Sequence, residues 1–163
     1  MVAVVLELPR KNYSVDFIAA DVPVEMRSPE QTRDIVEAMG GTGCRILVVD
    51  DDPDGADSLA ALLSLIGHET VVANDGLAAL VLADTFHPDV VVLDLGMPGL
   101  DGFEVAKRLR KTSTGAGLLL IAATGWGHPE DRRRSLAAGF DHHLAKPVDL
   151  HQLAEIIASK PHL

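Results

Sequence analysis

The feature that most constrains this chain is a cycle repeated five times between residues 45 and 158: a short apolar run, a turn, then apolar residues at helical spacing. Residues 45–49 (Arg-Ile-Leu-Val-Val) lack polar alternation, as expected of a parallel strand covered by helices on both faces. Pro53 stands where the first helical turn has no N–H to lose; Leu59, Leu62, Leu63 and Ile66 follow at helical spacing, and Gly67 stops the run. The cycle then predicts a strand at 68–73 and a helix at 77–86 with Leu77, Leu80 and Val81 on its apolar stripe. A strand at 90–93 precedes a helix at 102–110 carrying Phe103, Val105, Ala106 and Leu109. Strands at 118–122 and 142–145 are followed by helices at 130–138 and 150–158. Such alternation predicts an α/β fold: a doubly wound (βα)5 arrangement, five parallel strands with helices on both faces and right-handed crossovers.

Gly40, Gly41 and Gly43 interrupt the chain and divide it into an N-terminal β/α extension, 1–43, and a main domain, 44–160. The extension reads as strands at 2–8 and 14–19, then a helix opened by Ser28, Pro29 and Gln31 and lined by Ile35, Val36 and Met39. A hairpin and one helix bury little core alone, so this part is expected to pack on the main domain or on a second copy, making a homodimer contact. Fourteen Lys and Arg against 24 Asp and Glu give a formal charge of −10, a field that repels polyanions, so no nucleic-acid partner is expected. No apolar run approaches the ~20 residues a spanning helix needs, and residues 2–8 lack the basic flank and cleavage pattern of a signal peptide. With Cys44 the only cysteine, the expectation is a cytoplasmic protein without membrane contact.

Ligands of doubly wound sheets sit beyond the carboxyl ends of the strands. There the first strand delivers Asp50, Asp51 and Asp52, the third Asp94, the fourth Thr124, and the fifth Lys146 and Pro147. Carboxylates crowded into one crevice repel unless a cation compensates, and a hard divalent ion with oxygen ligands, Mg2+, suits them. A lysine and a hydroxyl around the same aspartate suit a group that gains phosphate oxygens. Each residue has a plainer reading, as a solvated acidic loop, a turn or a surface side chain; their joint placement favours a site. Adjacent His142 and His143 would point to opposite strand faces and do not chelate together, and Arg132, Arg133 and Arg134 read as a solvated helix face.

Four stretches in order carry a family resemblance: 46–51 (Ile-Leu-Val-Val-Asp-Asp), 92–102 (Val-Leu-Asp-Leu-Gly-Met-Pro-Gly-Leu-Asp-Gly), 123–125 (Ala-Thr-Gly) and Lys146-Pro147. Over 44–160 the chain resembles a response-regulator receiver domain of the CheY-like family, with a flavodoxin-like fold. The resemblance implies that Asp94 accepts a phosphoryl group from a sensor histidine kinase. It also implies a Mg2+ ion held by Asp51 directly, by Asp50 through water, by Asp94 and by the Gly96 carbonyl. Thr124 would bind the phosphoryl group and rearrange, Lys146 would pair with its oxygens, and Pro147 would follow a cis peptide bond. Two positions depart from the family pattern: His143 stands at the usual Tyr or Phe switch position, and Gly96 leaves one flank of the acceptor bare, with Trp126 a candidate shield on the other.

The implied function is a two-component signalling module that is not an enzyme beyond its own aspartyl phosphorylation and dephosphorylation. With three residues after Lys160, no output domain is expected. The alternatives are a phosphorelay intermediate serving a histidine phosphotransfer protein, a phosphate sink, or a mainly structural, dimerising receiver. A Mg2+-dependent phosphatase with an aspartyl nucleophile would need a second aspartate where Gly96 stands.

Overall fold

The computed structural model describes residues 43–125 and 129–160; the expectations for the extension before Gly43 and for Trp126 lie outside the described residues. Among the described residues ten elements alternate: β1 (Arg45–Val49), α1 (Pro53–Leu65), β2 (Glu69–Ala73), α2 (Gly76–Phe86), β3 (Val90–Asp94), α3 (Gly102–Arg110), β4 (Leu119–Thr124), α4 (Pro129–Ala138), β5 (His142–Ala145) and α5 (Leu150–Ala158). The strands form one five-stranded sheet in the order β2-β1-β3-β4-β5, every pair parallel. The order reverses beside β1, so the carboxyl ends of β1 and β3 flank the switch point where such sheets open a crevice.

The core follows from side-chain alternation. Leu47, Val49, Val91, Leu93, Leu120 and Ala122 join one buried cluster with Ala79 of α2, Val105, Ala106 and Leu109 of α3 and Ala138 of α4. Ile46, Val48, Val92 and Ile121 are equally buried and point to the opposite face, leaving α1 and α5, with Leu63, Leu153 and Ile157 buried, to cover it. Each such aliphatic side chain contributes roughly 1.5–3 kcal/mol by leaving water.

Several boundaries differ from the sequence expectation, for local reasons. β4 runs on through Thr124 because Ala123 and Thr124 pair with Leu144 and Ala145 of β5. β2 starts at Glu69 because the His68 N–H donates back to the Leu63 carbonyl, closing α1. The stripe expected on α2 holds at Leu80, which packs partly buried against the core, and is corrected elsewhere: Leu77 and Val81 are each 64% exposed, whereas Gly76 and Ala79 are buried. This helix is apolar on nearly every side, so periodicity selects no face, and the closest approach decides instead. A Cβ on Gly76 would lie 2.7 Å from the Leu100 carbonyl oxygen and 2.8 Å from Val105 Cγ2, space that only glycine leaves open.

Arg110, at the end of α3, ties two loops together, the one before β4 and the one before β5. Its Nε donates to the Gly139 carbonyl at 2.7 Å, Nη1 to the carbonyls of Gly115 and Leu118 at 2.6 Å each, and Nη2 to Asp141 Oδ2 at 2.6 Å. The same Asp141 oxygen accepts the Leu120 N–H at the start of β4.

Candidate functional site

Where β1 ends, the Asp50 N–H donates to the Ala73 carbonyl at 3.1 Å, one step past the last β1–β2 register pair. Its Oδ1 accepts the Asp52 N–H at 3.0 Å, and its Oδ2 accepts the Lys146 ammonium at 2.6 Å. Asp94, the last residue of β3, is 7% exposed. Its Oδ1 accepts the Gly96 N–H at 3.0 Å, and its Oδ2 lies 3.2 Å from Lys146 Nζ. Asp51 is exposed, yet carboxylate oxygens of Asp50, Asp51 and Asp94 all lie within 4.8 Å of one another.

The far wall comes from β4 and β5. Thr124 ends β4 and is buried; its carbonyl accepts the Lys146 N–H at 2.8 Å, fixing the backbone from which the lysine reaches back to the acids. The Lys146–Pro147 peptide is cis. Beneath Asp94, the Leu95 N–H donates to the Ala123 carbonyl at 3.1 Å. The start of α3 packs so tightly on this turn that a Cβ on Gly102 would meet the Asp94 carbonyl oxygen at 2.4 Å and Leu95 Cα at 2.9 Å. At Gly96 the situation is opposite: a Cβ would find only the Asp94 carboxylate, at 3.7 Å and 3.9 Å.

Three carboxylates meet one ammonium, which bonds two of them, leaving an excess of negative charge at the crevice. Burial, the largest single effect on Lys146, disfavours its charge; the hydrogen bonds and attraction of Asp50 and Asp94 together outweigh it and hold its pKa above the ordinary lysine range. The all-oxygen donor set and the charge deficit fit a hard divalent ion such as Mg2+ better than a soft one, which would want sulfur or imidazole.

The sequence-predicted residues are therefore distributed as follows. Asp50, Asp51, Asp94 and Lys146 converge, Gly96 reaches Asp94 through its N–H, and Thr124 ends the neighbouring strand. His143 lies on β5 against α4, where its Nδ1 is 3.1 Å from the Oγ of Ser135, a fully buried serine whose hydroxyl also contacts the Arg132 carbonyl at 2.8 Å. Sequence reasoning missed Asn74, whose side-chain amide donates to the Asp50 carbonyl at 3.0 Å. The signal was available: Asn74 follows β2, and the rule about strand carboxyl ends applies there as to the other strands.

A buried aspartate at a parallel switch point, ringed by acids and a lysine, defines a doubly wound α/β domain with an acidic crevice at its strand ends. The chain belongs to the response regulator receiver domain family, whose model matches residues 46–158. It is 41% identical over 112 residues to an uncharacterized 14.6 kDa protein in the sodA1 3′ region of Leptolyngbya boryana, covering 69% of this chain and 86% of that one. It is 35% identical over 109 residues to the DNA-binding dual master transcriptional regulator RpaA of Synechocystis, covering 67% of this chain and 45% of RpaA. The chemotaxis protein CheY4 of Vibrio cholerae is a structural neighbour with a TM-score of 0.69 and 28% identity, covering 74% of this chain and all of that one.

This chain thus spans less than half the length of RpaA and of another relative, the response regulator MprA of Mycobacterium, to which it is 45% identical over 109 residues. The expectations of a module without an output domain and of no nucleic-acid partner find no support in these relatives, since RpaA is by name a DNA-binding regulator. Among the described residues, no helix is long and apolar enough to cross a membrane.

Proposed function

We propose that this chain accepts a phosphoryl group on Asp94 from a histidine kinase, with Mg2+, and signals through the resulting change at its surface. The observation that supports this most is the convergence of Asp50, Asp51 and Asp94 within 4.8 Å around an ammonium bonded to two of them. One Asp94 oxygen attacks phosphorus in line; the bond from phosphorus to the donor breaks, its electron pair leaves with the donor, and an acyl phosphate forms. Asp51 would hold Mg2+ directly and Asp50 through water, with Asp94 and the Gly96 carbonyl as further ligands. When bound, the ion supplies positive charge against the phosphoryl oxygens.

Lys146 sits on a flexible stem beside Asp94 Oδ2 and follows the new oxygens with its charge. The Thr124 hydroxyl, at the adjacent strand end, donates to one of them. Phosphorylation adds between one and two negative charges in a crevice already rich in acid, which drives the surrounding loops to a second arrangement. His143, tied to α4 through Ser135, links that rearrangement to the β5 face. The protein transforms no separate substrate; the covalent change is on its own aspartate. Its signal passes to a protein partner, to a histidine phosphotransfer protein, or to an output segment of the kind RpaA's name denotes.

The test is incubation with acetyl phosphate and MgCl2, read by intact mass, beside Asp94→Asn and an EDTA control. One added phosphoryl group on the wild type alone, lost with EDTA, is expected. A wild type that stays unmodified, and that also fails to bind beryllofluoride with Mg2+, overturns the proposal.

A further inference from the structure

We infer that Asn74 is a positioning residue for the acidic turn, one that sets how tightly the crevice binds a divalent cation; this rests on the function proposed above. In a parallel ladder, a residue whose N–H reaches one residue of the neighbouring strand sends its carbonyl to the N–H two residues further on. The Asp50 N–H donates to the Ala73 carbonyl, so a continued ladder would bring the Asp75 N–H to the Asp50 carbonyl. The chain cannot supply it. β2 ends at Ala73, and Asp75 is the N-cap of α2, with its side chain accepting the Ala78 N–H at 2.8 Å.

The Asn74 side-chain amide takes the vacant place and donates to the Asp50 carbonyl at 3.0 Å. A carbonyl oxygen only accepts, so the amide nitrogen must be the atom that faces it. Asp50 is thereby held on both sides of its Cα, by backbone on one side and by Asn74 on the other. Its carbonyl belongs to the peptide that leads into Asp51, so the same bond fixes the plane from which Asp51 departs. Asp51 is exposed and lies beyond β1, so this peptide plane, together with the Asp52 N–H bond to Asp50 Oδ1, sets the direction from which its carboxylate meets Asp50 and Asp94. Without Asn74 the turn samples more orientations, and the ordering must be supplied when the cation binds.

Groups that orient metal ligands typically shift metal affinity by about 10–100-fold; an exposed bond to a ligand's backbone belongs at the low end. The experiment compares wild type and Asn74→Ala of the full chain in three readouts: Mg2+ affinity by calorimetry, phosphorylation rate from acetyl phosphate at saturating Mg2+, and melting temperature without metal. Expected is a roughly tenfold weaker Mg2+ affinity in the variant, with the saturated rate within about twofold of wild type and the melting temperature nearly unchanged. A variant that binds Mg2+ as tightly as a competent wild type overturns the inference and leaves the proposed function standing. A variant whose saturated rate and melting temperature fall together, at unchanged affinity of its folded fraction, makes Asn74 a structural residue and overturns it equally. A wild type that neither binds Mg2+ nor accepts a phosphoryl group removes the function and this inference with it.

Discussion

Replacing Arg110 by alanine removes four hydrogen bonds at once, and their surroundings differ enough to predict a size. A bond to a charged group contributes about 1.5–3 kcal/mol, but summing four such values overcounts, because they share one side chain. Asp141 is 42% exposed on its side chain and rehydrates when the guanidinium leaves; half-buried Gly139 does so in part. Gly115 and Leu118 are buried, so their carbonyls stay unsatisfied, at a penalty of about 1–3 kcal/mol each. The expected loss is therefore about 3–4 kcal/mol, or roughly 10–16 °C in Tm for a domain of this size. Arg110→Lys keeps the charge but not the planar fork and loses about 2 kcal/mol. Urea unfolding followed by circular dichroism measures both variants as a shift in midpoint at constant slope. A loss below about 1 kcal/mol for the alanine variant, or a lysine variant as stable as wild type, refutes the reasoning.

Three further predictions concern the amino end of β1 and the site. Burial lowers the His68 pKa, and its Nδ1 must stay unprotonated to accept the Cys44 N–H at 3.1 Å. The unfolded chain therefore binds the proton more readily: stability is full above the ordinary histidine value near 6.5 and falls as pH drops through the lower folded value. Urea midpoints at pH 5 to 7.5 should fall more steeply for wild type than for His68→Gln, and equal slopes would sink the idea. Lys146→Met strips Asp50 and Asp94 of their ammonium; with the lysine side chain 30% exposed, the expected loss is about 1–3 kcal/mol in metal-free buffer. Added MgCl2 should raise the Tm of that variant more than that of wild type, and an equal rise would contradict the assigned charge balance. Gly102→Ala drives a Cβ into the Asp94 backbone, so about 1–3 kcal/mol of stability and much of the phosphorylation should be lost together; a variant that stays stable and fully phosphorylatable argues against the close contact.

The sheet was legible because buried parallel strands write themselves as apolar runs, as in Val90–Asp94, where every residue is buried. The acids and lysine were legible because strand ends place them: Asp50 and Asp94 close adjacent strands, and Lys146 follows directly on β5. α2 was not, because a helix of alanines and leucines has no polar side to mark its outer face. Arg110 escaped because three of its four bonds go to backbone carbonyls, partners that leave no trace in side-chain patterning; Asn74 was legible from its place after β2, though not its bond to the Asp50 carbonyl. The close packing at Gly102 was equally silent, since a glycine after an aspartate reads as a turn until the neighbouring backbone is in place.

The ends of the strands are stitched to one another in series: Asp50 to Ala73, Leu95 to Ala123, and Lys146 to Thr124, each through an N–H and a carbonyl. The floor of the crevice thus behaves as a fixed ruler rather than a hinge. Opening any stitch would break a backbone bond that borders buried core at Ala73, Ala123 and Thr124, so the strand ends resist separation. Under the proposed function, a charge placed on Asp94 would act first on side-chain torsions and on the loops beyond the strand ends. On that reading the domain would hold its signal in one covalent bond and express it through its loops, which can then diverge in sequence without moving the acceptor.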